Sequence, residues 1–292
     1  MLIRARPSMG WSSSRFFRAP LDPASVTIGR MPGVVSRAAA YALVRWCTAE
    51  RRLRRTTDRV SRALAGLVWA SSTPEERTRV GLALHDALEH RTTRAEGGLF
   101  EWEARWFRES LPAPPARVLV GGAGSGRETL ALLDRGYEVH AFEPAPLAFA
   151  ALRENVGDRA RVWRATYQEL ARVIPGGRYD AVVLGWTSFA CLVEDEDREQ
   201  LLRVLARACP TGPILASFPV RRGRDRGLGR AARAAARAVA PSAAIPAGVT
   251  FVPSGGFVRP VDEPAARALG QIIGRRAMWQ DAIGMGYVTW VR

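Results

Sequence analysis

The stretch RVLVGGAGSGRE, residues 117 to 128, constrains what this chain can fold into more than any other. Four of the six residues from 121 to 126 are glycine; they follow a short apolar run and precede a helical pattern. A strand that ends in such a turn lets the backbone amides at the start of the next helix approach a ligand closely, and the helix end adds partial positive charge. The pattern predicts a strand–turn–helix unit with a nucleotide-like ligand at the carboxyl edge of the strand.

Register narrows the ligand. In the dinucleotide pattern GxGxxG, counting from Gly122 puts the third glycine position on Arg127, and counting from Gly124 puts it on Thr129. No Gly-Lys-Ser/Thr follows, so the P-loop pattern fails as well. GxGxG fits, at Gly122, Gly124 and Gly126, and Glu143 in YEVHAFEP lies 21 residues after Gly122. At the end of a neighbouring strand, a carboxylate there can accept hydrogen bonds from both hydroxyls of a ribose.

The surrounding pattern supplies the sheet. Strands are predicted at 117–121, 138–142, 161–164, 180–185 and 213–218, with helices near 126–136, 146–155, 167–173 and 195–208. Strands alternating with helices imply a parallel sheet covered on both faces. A helix over 230–240, a loop-like stretch from Pro241 to Pro260, a helix over 262–273 and a terminal hairpin of two strands complete the domain. Before the PAPP boundary the pattern is helical, with two amphipathic segments expected between Val34 and Ala70 and a third helix opening at Thr73-Pro74 with Glu76 three residues after its cap. LFEWEARWFRESLP forms a short aromatic-rich helix closed by Pro112. The expected division is a disordered leader over 1–32, a helical N-terminal cap over 33–111 and a ligand-binding domain over 112–292.

GxGxG together with the acidic strand end resembles the class I family of S-adenosylmethionine (SAM)-dependent methyltransferases. LVGGAGSGRETLALLDRGYEVHAFEPAP is similar to the family's first two motifs in order and spacing, RYDAVVLGWTSFACL to its fourth-strand segment, and LLRVLARACPTGPILASF to the helix and strand that follow. GGLFEWEARWF is similar to a stretch preceding the glycine loop in a largely uncharacterised bacterial branch. The resemblance implies a Rossmann-like α/β fold with a mostly parallel seven-stranded sheet, a terminal antiparallel hairpin and SAM as cofactor. It places the loop Gly121, Gly122, Ala123, Gly124, Ser125 and Gly126 against the methionine part, Glu143 on the ribose and Pro144 beside the adenine. The family often meets the adenine amino group with an acidic residue after the third strand; VWRATYQEL offers Thr166, Tyr167 and Gln168 instead. Gly185 belongs to the cofactor side, and Trp186 and Thr187, with Trp102 and Glu103 from the preceding helix, are the candidates for the acceptor side. Each of the two tryptophans has core packing as its plainer account, and no catalytic residue is assigned, because aligning acceptor, methyl and sulfur is the main task.

Charge bears on the acceptor. The net charge of +15 would suit a phosphate backbone, but all 43 basic residues are arginine with no lysine, which resembles the bias of a GC-rich genome. The segment 221–240 holds seven arginines against one aspartate, and a solvated helix beside a loop is preferred to an anion clamp. No Asn-Pro-Pro-Tyr or Asp-Pro-Pro-Tyr motif follows the fourth strand, and no Pro-Cys pair. A small-molecule acceptor is therefore expected, with nucleic-acid methylation or non-catalytic cofactor binding as alternatives. Cys47, Cys191 and Cys209 are too far apart for a zinc or disulfide pattern, and His85, His90 and His140 do not pair for a metal, so neither is expected. With no long apolar stretch and no secretory h-region, a cytoplasmic location without membrane partners is expected.

Overall fold

A computed structural model describes residues 34–88, 98–174, 178–219, 229–241, 244–252, 255–282 and 285–292. The leader, His90, most of the loop before Gly98 and residues 221–228 of the arginine-rich segment lie outside them. The chain divides into two compact units, Met1–Arg59 and Val60–Arg292.

The first described element is one helix, α1 (Val34–Ser71), about 57 Å long at 1.5 Å per residue, where the sequence suggested two segments. No glycine or proline interrupts it between Val34 and Ala65, so nothing in the chain breaks it there. Helix α2 (Pro74–Leu88) starts at the expected box: the Glu76 amide donates to Thr73 Oγ1 at 3.2 Å and the Thr73 amide to Glu76 Oε2 at 2.8 Å. Helix α3 (Glu101–Ser110) ends before Pro112.

The second unit is built on a seven-stranded sheet. Its strands are β1 (Arg117–Gly121), β2 (Glu138–Phe142), β3 (Arg161–Trp163), β4 (Ala181–Leu184), β5 (Ile214–Pro219), β8 (Arg276–Ala282) and β9 (Met285–Val291), in the order β3-β2-β1-β4-β5-β9-β8. The first five run parallel, and β9 pairs antiparallel with both β5 and β8. Helices α4 (Arg127–Leu133), α5 (Pro146–Val156), α6 (Leu170–Val173), α7 (Asp195–Ala208) and α9 (Glu263–Ile272) complete the crossovers.

Alternation along each strand feeds two cores, as expected of a sheet buried on both faces. Leu119, Val182, Leu184, Ile214, Ala216, Val288 and Trp290 face one; Val118, Val120, Ala181, Val183, Leu215 and Tyr287 face the other, with Trp102, Trp106 and Phe107 of α3. Trp106 Nε1 donates to Thr289 Oγ1 at 2.7 Å, tying α3 to β9.

A third core joins Ala65 and Trp69 at the end of α1 to α8 (Gly229–Val239) and to Val249 and Phe257. The stretch Pro241–Pro260, expected as loop, holds an antiparallel pair, β6 (Thr250–Val252) and β7 (Gly256–Val258). Three-residue strands are too short to show an alternation; the turn glycine Gly256 (φ +76°) marks this one, and a Cβ on it would lie 2.7 Å from Gly81 Cα of α2. This lobe meets the sheet domain at several points. Arg77 of α2 pairs with Glu194 at 3.0 Å, Asp86 accepts from the Leu147 amide at the start of α5 at 3.1 Å, and the Arg259 amide donates to the Ala190 carbonyl at 2.8 Å. Among the described residues no helix is long and apolar enough to cross a membrane.

Candidate active site

The chain leaves β1 to one side, towards β2, and later returns on the other side as β4, so a crevice opens where the loops after β1 and β4 diverge. Gly121 at the end of β1 is paired with Phe142 and Leu184, the last residues of β2 and β4.

The glycine loop is left-handed at three points, Gly122 (φ +63°), Gly124 (φ +56°) and Gly126 (φ +100°), the last being the N-cap of α4. Their surroundings differ. A Cβ on Gly122 would sit 2.4 Å from Ser188 Cβ, and one on Gly126 would sit 2.9 Å from Leu152 Cδ1; protein fills both places. A Cβ on Gly124 would meet nothing within 4 Å. Of the three glycines, Gly124 alone faces open space. Ala123 donates its amide to the Phe142 carbonyl at 3.1 Å, and the Ser125 carbonyl accepts from Asn155 Nδ2 at 2.9 Å.

Glu143 is built into this loop. Its Oε2 accepts from the Gly124 amide at 2.8 Å and its Oε1 from the Ala145 amide at 2.9 Å, on either side of Pro144. The residue is 5% exposed, and burial pushes its carboxyl up to about 7 against the pull of those two amides. Each oxygen keeps a further lone pair for a hydroxyl donor.

On the β3 side, the Thr166 amide and hydroxyl both donate to Glu169 Oε2, at 2.8 and 2.9 Å, in the turn before α6. Tyr167 packs edge-on against Phe142, and its hydroxyl is 2.5 Å from Ser188 Oγ, with burial raising its pKa. Past β4, the Gly185 amide donates to the Gly121 carbonyl at 2.7 Å, and a Cβ on Gly185 would lie 2.6 Å from the Gly122 carbonyl oxygen. Gly185 therefore lets the β4 loop lie directly on the glycine loop. Cys191 closes the 3-10 turn Ser188–Cys191; it is solvent-accessible yet enclosed enough that burial pushes its thiol up to about 11, far from a thiolate at neutral pH.

The acceptor-side candidates divide into two groups. Trp102 and Glu103 are buried. Trp102 stacks on Tyr287 at 5.1 Å and lies 6.1 Å from Trp186, while Glu103 receives Arg127, Nη1 to Oε2 at 2.5 Å and Nη2 to Oε1 at 2.8 Å. In the turn after β4, Trp186 is exposed and Thr187 half-buried, and Thr187 has φ +54°.

Arg127, the first residue of α4, holds these parts together. Besides Glu103 it reaches Glu128 Oε1 at 2.7 Å and the Gly98 carbonyl at 3.1 Å, and its guanidinium lies 4.9 Å from the Phe100 ring and 5.5 Å from that of Trp186. Burial alone would lower its pKa, but the two carboxylates outweigh it and raise it. Glu128 is raised by burial in spite of Arg127, and its Oε1 also accepts from the Trp186 amide at 3.3 Å. The signal for this cluster was an arginine directly after the glycine run and a glutamate in a tryptophan-rich helix; nothing in their spacing pairs them. Among the described residues no group of His, Cys, Asp and Glu could hold a metal ion.

A family model described as a methyltransferase domain matches residues 118–212, from β1 to the turn before β5. The 1,6-didemethyltoxoflavin-N1-methyltransferase of Burkholderia thailandensis, solved with 1,6-didemethyltoxoflavin and S-adenosylhomocysteine, has the same fold; the match covers 75% of this chain and 89% of that one, with a TM-score of 0.51 and 19% identity. The CcbJ methyltransferase of Streptomyces caelestis matches over 68% of this chain and 92% of its own, with a TM-score of 0.49 and 16% identity. Among curated proteins, the ribosomal RNA small subunit methyltransferase H of Sinorhizobium fredii is 31% identical over 115 residues, 37% of this chain. The chain spans about a third of that relative's length, 34%. The glycine loop, the strand order and the domain match agree: residues 118–212 form a methyltransferase domain, on the Rossmann-like fold of the class I SAM-dependent methyltransferases.

Proposed function

We propose that the chain transfers a methyl group from SAM to a small-molecule acceptor. The observation that carries this reading is the joint between Gly124 and Glu143: the one glycine of the loop with open space beside it is tied through its amide to the carboxylate at the end of β2. In this reading the space at Gly124 takes the cofactor, and the free lone pairs of Glu143 accept from the ribose hydroxyls. The adenine side falls to Pro144, Thr166 and Tyr167, the Thr166 hydroxyl oxygen keeping acceptor capacity beside Glu169.

SAM supplies an electrophilic methyl on a sulfonium whose departure as a neutral thioether drives the displacement. The residues then have to align the acceptor and keep water out. Trp186 and Thr187 stand at the acceptor end of the crevice, and Trp102 and Glu103 support them from beneath. The helical region over 33–111 is assigned as the cap region and residues 112–292 as the catalytic domain. No side chain is assigned as general base: Glu128 is committed to Arg127 and to the Trp186 amide, and Cys191 is not ionised at neutral pH.

One finding favours a second reading, RNA as acceptor: the relative that is 31% identical is named a ribosomal RNA methyltransferase. Incubating the protein with SAM labelled in its methyl group, with small-subunit ribosomal RNA and with a small-molecule extract in separate reactions, decides between them. Label in the small-molecule fraction alone is the expected result; label in RNA alone would replace the first reading by the second.

A further inference from the structure

Trp186 is held in a position that a soluble chain gains nothing from. Its ring is 40% exposed, next to Phe100 at 48%, with centroids 4.8 Å apart and planes tilted by 37°. Burying a large apolar side chain is worth about 1.5–3 kcal/mol, so leaving two together in water forgoes a substantial gain. The backbone that presents Trp186 is also strained. Thr187 is the one non-glycine with positive φ among the described residues, a conformation of order 1–3 kcal/mol that persists where its surroundings over-determine it. Here they do: the Trp186 amide is fixed by Glu128 and the Thr187 amide by Ser217 Oγ at 3.3 Å, both acceptors being buried.

The place is the end of β4, directly against the glycine loop through Gly185. The electrostatics set what can occupy it. Arg127 already lies within cation–π distance of both rings, so that slot is filled, and its charge is matched by Glu103 and Glu128. What the exposed faces still offer is stacking with a flat ring.

Resting on the methyltransferase reading, we infer that Trp186, with Phe100, forms the specificity-determining platform of the acceptor site and selects a flat aromatic acceptor over an ammonium or a saturated ring. The ring stacks on Trp186 and carries its nucleophilic atom past the platform edge towards Gly124.

The test uses the full chain saturated with S-adenosylhomocysteine and 2-naphthol as probe, with tetramethylammonium and methyl glucoside as contrasts, followed by calorimetry. Binding of 2-naphthol alone is expected. Trp186→Ala should weaken it by about tenfold or more, and Trp186→Phe, which restores a ring, should return it to within about threefold. Affinity for S-adenosylhomocysteine, measured on the same samples, should stay within about twofold throughout. Phe100→Ala, placed at the other ring, gives a second reading should Trp186→Ala fail to fold, with the same direction expected. The inference is overturned if wild type ignores 2-naphthol, if either alanine variant binds it as wild type does, if Trp186→Phe is as weak as Trp186→Ala, or if tetramethylammonium competes. Loss of S-adenosylhomocysteine binding in wild type would instead remove the methyltransferase reading beneath it.

Discussion

Replacing Arg127 with methionine keeps the aliphatic stem and removes the cation that Glu103 and Glu128 share. The side chains are 11%, 3% and 6% exposed respectively, so the pair contacts at 2.5 and 2.7 Å are screened little by solvent. Also lost are a second contact to Glu103 at 2.8 Å and one to the Gly98 carbonyl at 3.1 Å. Removing one partner of a buried pair leaves uncompensated charge, which costs about 3–5 kcal/mol, a large share of the roughly 5–15 kcal/mol that a domain has. Two further consequences make the test specific. Arg127 holds Glu128 down against burial, so in the variant the Glu128 carboxyl moves further up. An acid raised in the folded state binds protons there more tightly than in the unfolded chain, so stability falls as pH rises from the ordinary carboxylate range. The deficit of Arg127→Met should therefore be smaller near about pH 5 than near about pH 8. Adding Glu103→Gln removes one of the stranded charges and should recover part of the loss, with a coupling of about 0.5–3 kcal/mol. Urea unfolding followed by tryptophan fluorescence and circular dichroism measures all four proteins at both pH values. A deficit under about 1 kcal/mol at the higher pH, or strict additivity of the two substitutions, would refute the reasoning, because exposed pairs behave that way.

Glu143 links pH to cofactor binding. With its carboxyl held at about 7, the ionised form that accepts from two ribose hydroxyls gains ground as pH rises, so affinity for S-adenosylhomocysteine should increase between about pH 6 and pH 8 and then level off. The unliganded protein should lose stability from the same group between about pH 4.5 and pH 7, since folding raises this pKa from 4.5 to about 7, and level off above; calorimetric and thermal titrations showing the opposite slopes would contradict the burial argument. The glycines of the loop should separate by readout: Gly122→Ala, which drives a methyl into Ser188, should lower Tm more, while Gly124→Ala, which pays only backbone strain of about 1–2 kcal/mol but fills ligand space, should lower affinity more. In the lobe, a Cβ on Gly66 would lie 2.1 Å from the Ala232 carbonyl oxygen, so Gly66→Ala should cost about 1–3 kcal/mol and shift the emission of Trp69, which packs on Phe257; an unchanged Tm and spectrum would show that the helices yield freely.

How far the sequence determined this can be judged element by element. Strands β1, β4 and β5 carried their own evidence as apolar runs between turn residues, and β1 and β2 fall on the predicted bounds. The glycine register separated one cofactor class from another because backbone conformation is a local property. What escaped was non-local or too short. Strands β6 and β7 have three residues each, and β7 is held by α2 across about 175 positions of chain, which no window detects. Arg127 and Glu103 meet only because α3 docks on β9 through Trp106 and Thr289. The contact of Thr166 with Glu169, three residues on, was by contrast legible from spacing alone, and the hydroxyl oxygen keeps acceptor capacity.

The central claim is that the joint of Gly124 and Glu143 holds SAM, and calorimetry of the purified chain with S-adenosylhomocysteine, with NAD in parallel, tests it most directly. The account predicts one saturable site per chain for S-adenosylhomocysteine, none for NAD, and a loss of about tenfold or more in affinity with Glu143→Ala. A chain that shows no saturable site for S-adenosylhomocysteine, or that binds it equally well without the Glu143 carboxylate, would contradict it.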